Sequence, residues 1–313
     1  MVFPTNYTSF TSINKVILKE EKRIFAGRET TLPECLFYRG PNRFMVKYFS
    51  ALHKQEEYSM RLHIDGLVKN YKSKAVLKGA TFTFEQGKIY GLLGRNGAGK
   101  TTLFNCLARH LDFDGGRIGL DVDDRSDDPK TFFDGGGSPD YNESDIGFVF
   151  TQPHLPEFLT GREFIKFFIE INGKKVQDPL SIDEYFRLVA FDSADGNRLI
   201  KDYSHGMMNK LQMLISLYIL KPPVILLDEP LTSFDVVAAL EVKNMIKSIK
   251  KDHVIVFSTH ILELAQDLCD EIVVLHDGVL RHIPPESINS PQFESDIIRI
   301  LSDNGSDGSV KEE

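Results

Sequence analysis

The sequence has few cysteines, no long apolar run and fewer basic than acidic residues, and each shortage excludes a class of protein. Its three cysteines, Cys35, Cys106 and Cys269, lie far apart without C-x-x-C spacing, so we expect reduced, packed thiols rather than disulfides or a zinc site. No stretch approaches the roughly 18 apolar residues of a membrane-spanning helix, and the N-terminus lacks the apolar region of a signal peptide. We therefore expect a cytosolic protein. The net charge of −8 opposes a general nucleic-acid surface, because phosphate binding needs a basic face.

The rest of the composition is that of a soluble globular protein, with 42% hydrophobic and 26% charged residues. A chain of 313 residues can form one large or two modest domains. Apolar runs typical of buried strands alternate with segments of helical periodicity, which predicts an α/β fold with a mainly parallel sheet. In such sheets, ligands bind at the carboxyl ends of the strands.

Three segments differ from this pattern. Residues 1–59 show no sustained periodicity and predict a poorly ordered extension, with a surface-binding helix over 43–54 as the alternative. An alternating strand pattern begins abruptly at Met60, and one hypothesis is that Met60 is the true start. Residues 286–313 predict a C-terminal helix followed by a disordered acidic tail. The Asp-, Gly- and Ser-rich run 121–145 predicts a mobile loop rather than a metal site.

The most specific motif is Gly-Arg-Asn-Gly-Ala-Gly-Lys-Thr-Thr at residues 94–102. It fits G-x-x-x-x-G-K-[ST] and lies between the apolar run 89–93 and the start of a helix, which is the order that a phosphate-binding loop needs. Glycines let backbone N–H groups approach a polyphosphate, and the helix N-terminus adds positive charge. A chance match in a glycine-rich turn arises in roughly one chain in a hundred of this length. The motif therefore predicts nucleotide binding through Gly94, Arg95, Asn96, Gly97, Ala98, Gly99, Lys100, Thr101 and Thr102.

A pair of acids follows the buried run 224–227. Asp228 and Glu229 end this run, and two carboxylates beside a buried strand are costly unless a cation uses them. Asp228 is a candidate ligand for Mg²⁺, directly or through water, and Thr101 offers a hydroxyl to the same ion. Glu229 is a candidate general base for an attacking water. Two helix-capping acids without a catalytic role are the plainer alternative.

Residues 60–285 resemble the ATP-binding subunit of ATP-binding cassette (ABC) transporters, because seven motifs occur in the order of that family. The motifs are Tyr71 for adenine stacking, the phosphate loop 94–101, Gln152, the signature Tyr203-Ser204-His205-Gly206-Met207, the Walker B pair Asp228 and Glu229, Asp235 and the switch histidine His260. The resemblance implies a P-loop NTPase core with a mainly parallel sheet, a small antiparallel β subdomain and a helical signature subdomain over about residues 153–210.

The resemblance also implies ATP and Mg²⁺ as cofactors and assigns side chains to them. Catalytic roles fall to Glu229, His260, Gln152 and Lys100. Metal binding falls to Thr101, Gln152 and Asp228. Tyr71 would contact the adenine, and Ser204 and Gly206 would face the γ-phosphate of ATP held by a second subunit, with Asp235 as a further cofactor-binding residue. Two ATP molecules would then lie between the subunits of a homodimer or a heterodimer.

The implied function is ATP hydrolysis that powers separate integral membrane permease subunits, with this chain peripheral on the cytoplasmic face of the membrane. The Tyr-Ser-x-Gly-Met signature resembles that of export-type cassettes, although His205 and Met207 replace the usual glycine and glutamine. The aromatic stretch from Phe158 to Phe168, beside Gln152, is the candidate docking surface for the permease. Burial in the core is the commoner use of such aromatic residues.

Two other functions share part of this pattern. The first is a soluble mechanical ATPase that acts on ribosomes or DNA, but the chain carries a single cassette and shows no heptad run. The second is a small-molecule phosphotransferase, which would share the phosphate loop without the signature or the switch histidine. No nucleic-acid partner is expected, and neither the transported substrate nor the direction of transport follows from the residues.

Overall fold

The computed structural model describes residues 60–72, 74–121, 142–176, 179–232 and 234–302. These residues form nine strands: β1 (Arg61–Tyr71), β2 (Lys74–Glu85), β3 (Ile89–Leu93), β4 (Gly115–Asp121), β5 (Ile146–Val149), β6 (Val224–Asp228), β7 (Val254–Thr259), β8 (Glu271–His276) and β9 (Val279–Ile283). The same ranges contain eight α-helices: α1 (Lys100–Leu107), α2 (Gly161–Ile171), α3 (Ile182–Leu188), α4 (His205–Met213), α5 (Val236–Ile249), α6 (Leu262–Leu268), α7 (Pro285–Ile288) and α8 (Phe293–Ser302).

The strands form two sheets. A small antiparallel sheet has the order β2-β1-β4, and a six-stranded sheet has the order β5-β6-β7-β3-β8-β9. Every pairing in the second sheet is parallel except that of β8 with β9. Those two strands form a hairpin about Asp277 and Gly278, as the Asp-Gly pair between apolar runs predicts, and the φ angles of 48° and 80° suit a tight hairpin turn. The arrangement confirms the predicted α/β class, with a mainly parallel sheet and a small antiparallel one.

The central strands are buried on both faces, as their continuous apolar sequences predict. On β6, Leu226 faces a core shared with α1 and the antiparallel sheet, where Phe104 is also fully buried. Its neighbours Ile225 and Leu227 face the opposite core, which contains Leu211 of α4. Because successive side chains on a strand point to opposite faces, β6 contributes to both cores. Its carboxyl end, at Asp228, lies at the edge of the sheet between the two cores.

The structure differs from the sequence predictions in two elements. Strand β4 was not predicted from the sequence. The apolar spacing from Ser204 to the Pro222-Pro223 break predicts one long helix, but the segment is α-helical only to Met213, and Leu214–Leu220 is π-helical. The proposed boundaries at 59, 153–210 and 285 stay predictions.

Several predictions fall on residues outside the described ranges. They include residues 1–59 with Cys35, most of the acidic loop and the C-terminal tail from residue 303. Cys106 is buried and Cys269 is partly buried, both without a disulfide, which confirms packed thiols at these two positions. Within the described ranges, no helix combines the length and the apolar character needed to cross a bilayer.

Candidate nucleotide site

The phosphate loop joins the end of β3 to the start of α1, and its glycines are needed where they stand. Gly99 has a φ of 108°, and a Cβ there would lie 2.7 Å from Cγ1 of Val76. At Gly94 a Cβ would lie 2.9 Å from the carbonyl oxygen of Leu275. Contacts this short do not occur with real side chains, so both positions require glycine. The N-terminus of α1 therefore opens onto a bare backbone, as an anion site requires.

Lys100 is the first residue of α1, and its ammonium group lies inside the loop. The residue is 5% exposed, and Nζ donates a hydrogen bond to the carbonyl oxygen of Gly94 at 2.8 Å. Nζ also lies 3.9 Å from Oε1 of Glu229. Burial lowers the pKa of Lys100, and the nearby carboxylates of Glu229 and Asp228 oppose that shift. A polyphosphate in the loop would supply the negative charge that this buried cation lacks.

Asp228, at the end of β6, accepts hydrogen bonds on both carboxylate oxygens. The Thr101 hydroxyl donates to Oδ2 at 2.8 Å, and the Ser258 hydroxyl donates to Oδ1 at 2.5 Å. Asp228 and Ser258 are both buried. A hydroxyl and a carboxylate oxygen at one point form a hard-oxygen donor set, and Mg²⁺ is usually held by one or two carboxylates together with substrate phosphates and water. The residues present fit that ion.

Glu229 continues from Asp228 in a left-handed conformation, with a φ of 48°. This region is uncommon for residues other than glycine and marks a conformation that the surroundings enforce. The backbone N–H of Glu229 donates to the Ser258 hydroxyl at 3.0 Å. Its Oε1 lies 3.1 Å from Nδ1 of His260. Since a carboxylate only accepts, Nδ1 carries the proton in this contact.

Ser258 thus binds both acids, and the sequence reasoning gave it no role. Its position on β7 is directly beside Asp228 in the parallel register of β6 and β7. A serine near the end of an otherwise apolar strand was the available signal, but the pairing of the two strands cannot be read from the chain order alone.

The segment that follows β5 reaches the same edge of the sheet. The Thr151 hydroxyl donates to the backbone oxygen of Asp228 at 3.0 Å, and the next residue, Gln152, is exposed. The structure therefore brings the ends of β3, β5, β6 and β7 together, as expected for parallel strands. Lys100, Thr101, Asp228, Glu229 and His260 are joined there by direct contacts, and Gln152 is adjacent to them in the chain through Thr151.

Tyr71 ends β1 at the tip of the β1-β2 hairpin. Its side chain is 46% exposed, and the Lys69 ammonium lies 5.7 Å from the ring centroid. Tyr71 pairs with Lys74, two residues before Val76, which contacts Gly99 of the phosphate loop. Strand β2 therefore passes beside the loop at Val76, and the Tyr71 ring at the hairpin tip is partly exposed to solvent.

Ser204 of the signature and Asp235 each cap the start of a helix. Ser204 caps α4, and its Oγ accepts from the N–H of Met207 at 3.2 Å. Asp235 caps α5 by accepting from the N–H groups of Val237 and Ala238. Among the described residues, no hydrogen bond or ion pair joins Ser204, Gly206 or Asp235 to the phosphate loop of the same chain.

Comparisons with known proteins identify the family. The family model described as "ABC transporter" matches residues 77–232. An uncharacterized ABC transporter ATP-binding protein of Bacillus subtilis, YxlF, is 31% identical over 220 residues, which cover 69% of this chain and 68% of YxlF. The chain belongs to the ABC transporter family as an ATP-binding subunit. This cassette is therefore an ATPase that binds ATP, of a family whose ATP-binding subunits dimerise and act with membrane permeases.

Further relatives agree with this assignment. The fluoroquinolones export ATP-binding protein of Mycobacterium tuberculosis is 34% identical to the cassette over 221 residues, which cover 69% of this chain and 68% of that protein. Among solved structures, an ATP-binding subunit of an ABC transporter has a TM-score of 0.60 at 23% identity, covering 75% of this chain and 93% of that one. The cassette MJ0796, solved as a dimer bound to ADP and Pi, has a TM-score of 0.59 at 20% identity, covering 72% and 98%. The last two likenesses concern the fold.

Proposed function

We propose that this cassette hydrolyses ATP with Mg²⁺ to power a separately encoded membrane permease that exports its substrate. The observation that carries the proposal is the set of contacts joining Lys100, Thr101, Asp228, Glu229 and His260 at one edge of the sheet. These groups supply a buried cation, a hard-oxygen pair and a carboxylate paired with an imidazole. A phosphotransferase or a mechanical ATPase finds no comparable support in the family members described above.

The proposed chemistry is attack of water on the γ-phosphate in line with the leaving oxygen. Lys100 and the backbone N–H groups at the start of α1 bind the phosphates and hold them in place. Glu229 accepts the proton of the attacking water, and the His260 imidazole orients that carboxylate and contacts the γ-phosphate. Thr101, Gln152 and Asp228 would hold Mg²⁺, which offsets the charge of the phosphate oxygens when bound. Positioning and charge stabilisation are then the main sources of rate.

Ser204, Gly206 and Asp235 are proposed to face the nucleotide site of a second subunit. Ser204 and Asp235 are exposed at helix N-termini, and within the described residues neither makes a hydrogen bond or ion pair with its own phosphate loop. A helix N-terminus with bare amides favours an anion, so Ser204 and Gly206 suit the γ-phosphate of ATP bound to a partner, either a second copy or a homologue. The dimeric state of MJ0796 supports this arrangement.

The permease is proposed to dock on α2 and on the segment before it. Phe158, Phe167 and Ile171 are 78%, 52% and 61% exposed, whereas Phe164 is buried. Phe167 and Ile171 lie four residues apart and therefore on one face of α2. This face would place the cassette peripherally at the cytoplasmic side of the membrane. Export is supported by the relative that exports fluoroquinolones and by the signature at residues 203–207.

The test is purification of tagged Glu229→Gln protein from detergent-solubilised native membranes in the presence of ATP, followed by mass spectrometry. The change removes the proposed base while leaving Asp228 and Thr101, so turnover should fall by about 10²- to 10⁴-fold with ATP binding retained. Recovery of a multi-span membrane protein supports the permease. Glu294→Gln, an exposed acid on α8, is the matched control and should keep wild-type turnover. Recovery only from the soluble fraction with ribosomal or chromosomal proteins would refute the transporter proposal.

A further inference from the structure

His205 makes a contact that the usual glycine of the signature could not make. It is the first residue of α4, directly after the cap Ser204, and its side chain is half-buried. Nε2 lies 3.1 Å from the carbonyl oxygen of Thr151, 54 residues earlier in the chain. A carbonyl oxygen only accepts, so Nε2 carries the proton and the imidazole is the donor.

The Thr151 carbonyl that accepts this hydrogen bond fixes the orientation of the backbone at Gln152. The Thr151 carbonyl and the Gln152 N–H belong to one planar peptide group, so a hydrogen bond that orients the carbonyl also orients the start of Gln152. The Thr151 hydroxyl is bonded on its other side to the backbone of Asp228. Thr151 is thus held between the first turn of α4 and the end of β6.

A second side chain of α4 holds the residue before Thr151. The Gln212 amide accepts from the Phe150 N–H at 3.2 Å and donates to the Phe150 carbonyl at 3.0 Å. Gln212 is buried and lies seven residues after His205, close to two helical turns, so both side chains project from the same face of α4. Gln212 anchors the end of β5, and His205 extends the contact by one residue to the peptide that begins Gln152.

We propose that His205 is a positioning residue that links the signature helix to Gln152 within one chain. By holding the Thr151 carbonyl, it directs Gln152 toward the phosphate side of the site while α4 keeps its observed position. The role of Gln152 itself rests on the proposed function above. A displacement of α4 would act on the Thr151–Gln152 peptide directly through this hydrogen bond, in addition to the contacts of Gln212 with Phe150, whereas a glycine at 205 would leave the Thr151 carbonyl to water.

The test uses the full chain and the variants His205→Leu, which removes the donor but keeps bulk, and His205→Gln, which retains an N–H donor. Loss of one hydrogen bond corresponds to about a two- to twelvefold lower kcat, which we expect for His205→Leu with KM for ATP within about twofold. His205→Gln should restore turnover. In a Gln152→Ala background, His205→Leu should cause no further loss, because the two changes act on one route.

Hydrogen–deuterium exchange of the nucleotide-free chain gives a second readout. Peptides covering residues 151–158 should exchange several-fold faster in His205→Leu and normally in His205→Gln, while peptides from β7 stay unchanged. If leucine prevents folding, His205→Gly takes its place.

Unchanged exchange in 151–158, a change in KM rather than kcat, or an undiminished loss in the Gln152→Ala background would overturn the inference. The last two results would indicate direct contact of His205 with the partner's ATP. If Gln152→Ala alone leaves turnover unchanged, the role proposed for Gln152 is wrong, and the His205–Thr151 hydrogen bond cannot affect the nucleotide through Gln152. If Gln152→Ala impairs turnover but His205→Leu does not, only the inference about His205 fails.

Discussion

Replacing Ser258 with alanine should damage both stability and catalysis, because one hydroxyl holds both acids of the site. The hydroxyl donates to Oδ1 of Asp228 at 2.5 Å and accepts from the N–H of Glu229 at 3.0 Å, and Ser258 is fully buried. A hydrogen bond to a charged group contributes about 1.5–3 kcal/mol and one between neutral groups about 0.5–1.5 kcal/mol. Allowing for imperfect additivity, we expect the free energy of unfolding to fall by about 2–4 kcal/mol.

The catalytic effect of Ser258→Ala follows from geometry. Asp228 would keep only the Thr101 hydroxyl on its carboxylate, and Glu229 would lose the contact that holds its left-handed backbone. Displacements near 1 Å can lower rates by about a hundredfold, so we expect kcat to fall about ten- to a hundredfold. The assays are urea unfolding followed by circular dichroism and steady-state phosphate release.

Ser295→Ala is the matched control for Ser258→Ala. Its hydroxyl donates to the backbone of Gln292 on an exposed turn at the start of α8, and its loss should cost under about 0.5 kcal/mol without a change in turnover. A loss for Ser258→Ala equal to that of the control, with normal kcat, would refute the view that this serine holds the two acids.

Three further predictions concern other parts of the cassette. Tyr71→Ala should raise KM for ATP about five- to a hundredfold through loss of base stacking, whereas Tyr71→Phe should bind normally; equal KM values would exclude stacking on this ring. Burial raises the pKa of the Cys106 thiol from 9.0 to about 12. Because the unfolded chain loses this proton at a lower pH than the folded chain, the free energy of unfolding should fall as pH rises from 9 to 12. The expected decrease between pH 7 and 10 is about 1.4 kcal/mol. Cys106→Ala should make the unfolding free energy less dependent on pH in that range, and an unchanged dependence would contradict the assignment. Phe167→Asp with Ile171→Asp should abolish co-purification of the permease while preserving ATP binding, and Ile298→Asp, an exposed apolar site on α8, should not; intact assembly of the double variant would rule out the α2 face.

Much of the fold could be predicted because its strongest signals are local. The apolar runs of β3, β6 and β7 are long enough to indicate buried strands, and the glycines of the phosphate loop specify a backbone without side chains. Strand β4 was not predicted because its apolar pattern is short. It begins with Gly115 and Gly116 and is followed by the acidic run, so only the alternating Ile118 and Leu120 indicate a strand. The π-helical segment has the same apolar character as a continued α-helix, and periodicity alone does not separate the two.

The motifs name the residues of the candidate site but not the contacts between them. Asp228, Glu229 and His260 could be named from motifs, because each lies at or directly after the end of an apolar strand. The role of Ser258 depends on the register of β6 against β7, and that of Thr151 depends on β5 lying beside β6. Such pairings join residues 30 and 77 positions apart, and a single sequence carries no direct sign of them.

The order of the strands gives the acid pair its geometry. Asp228 ends β6 and Glu229 follows it directly, and β6 lies between β5 and β7 in the sheet. From the β5 side, Thr151 binds the backbone oxygen of Asp228, and from the β7 side, Ser258 binds its carboxylate and the Glu229 N–H. The proposed metal-binding acid and the proposed base are therefore both tied by hydrogen bonds to the neighbouring strands or the segments that follow them. Because Thr151 is also bonded to His205, the one signature residue that departs from glycine is two hydrogen bonds from the Walker B backbone, and this proximity is why its replacement should be visible in kcat.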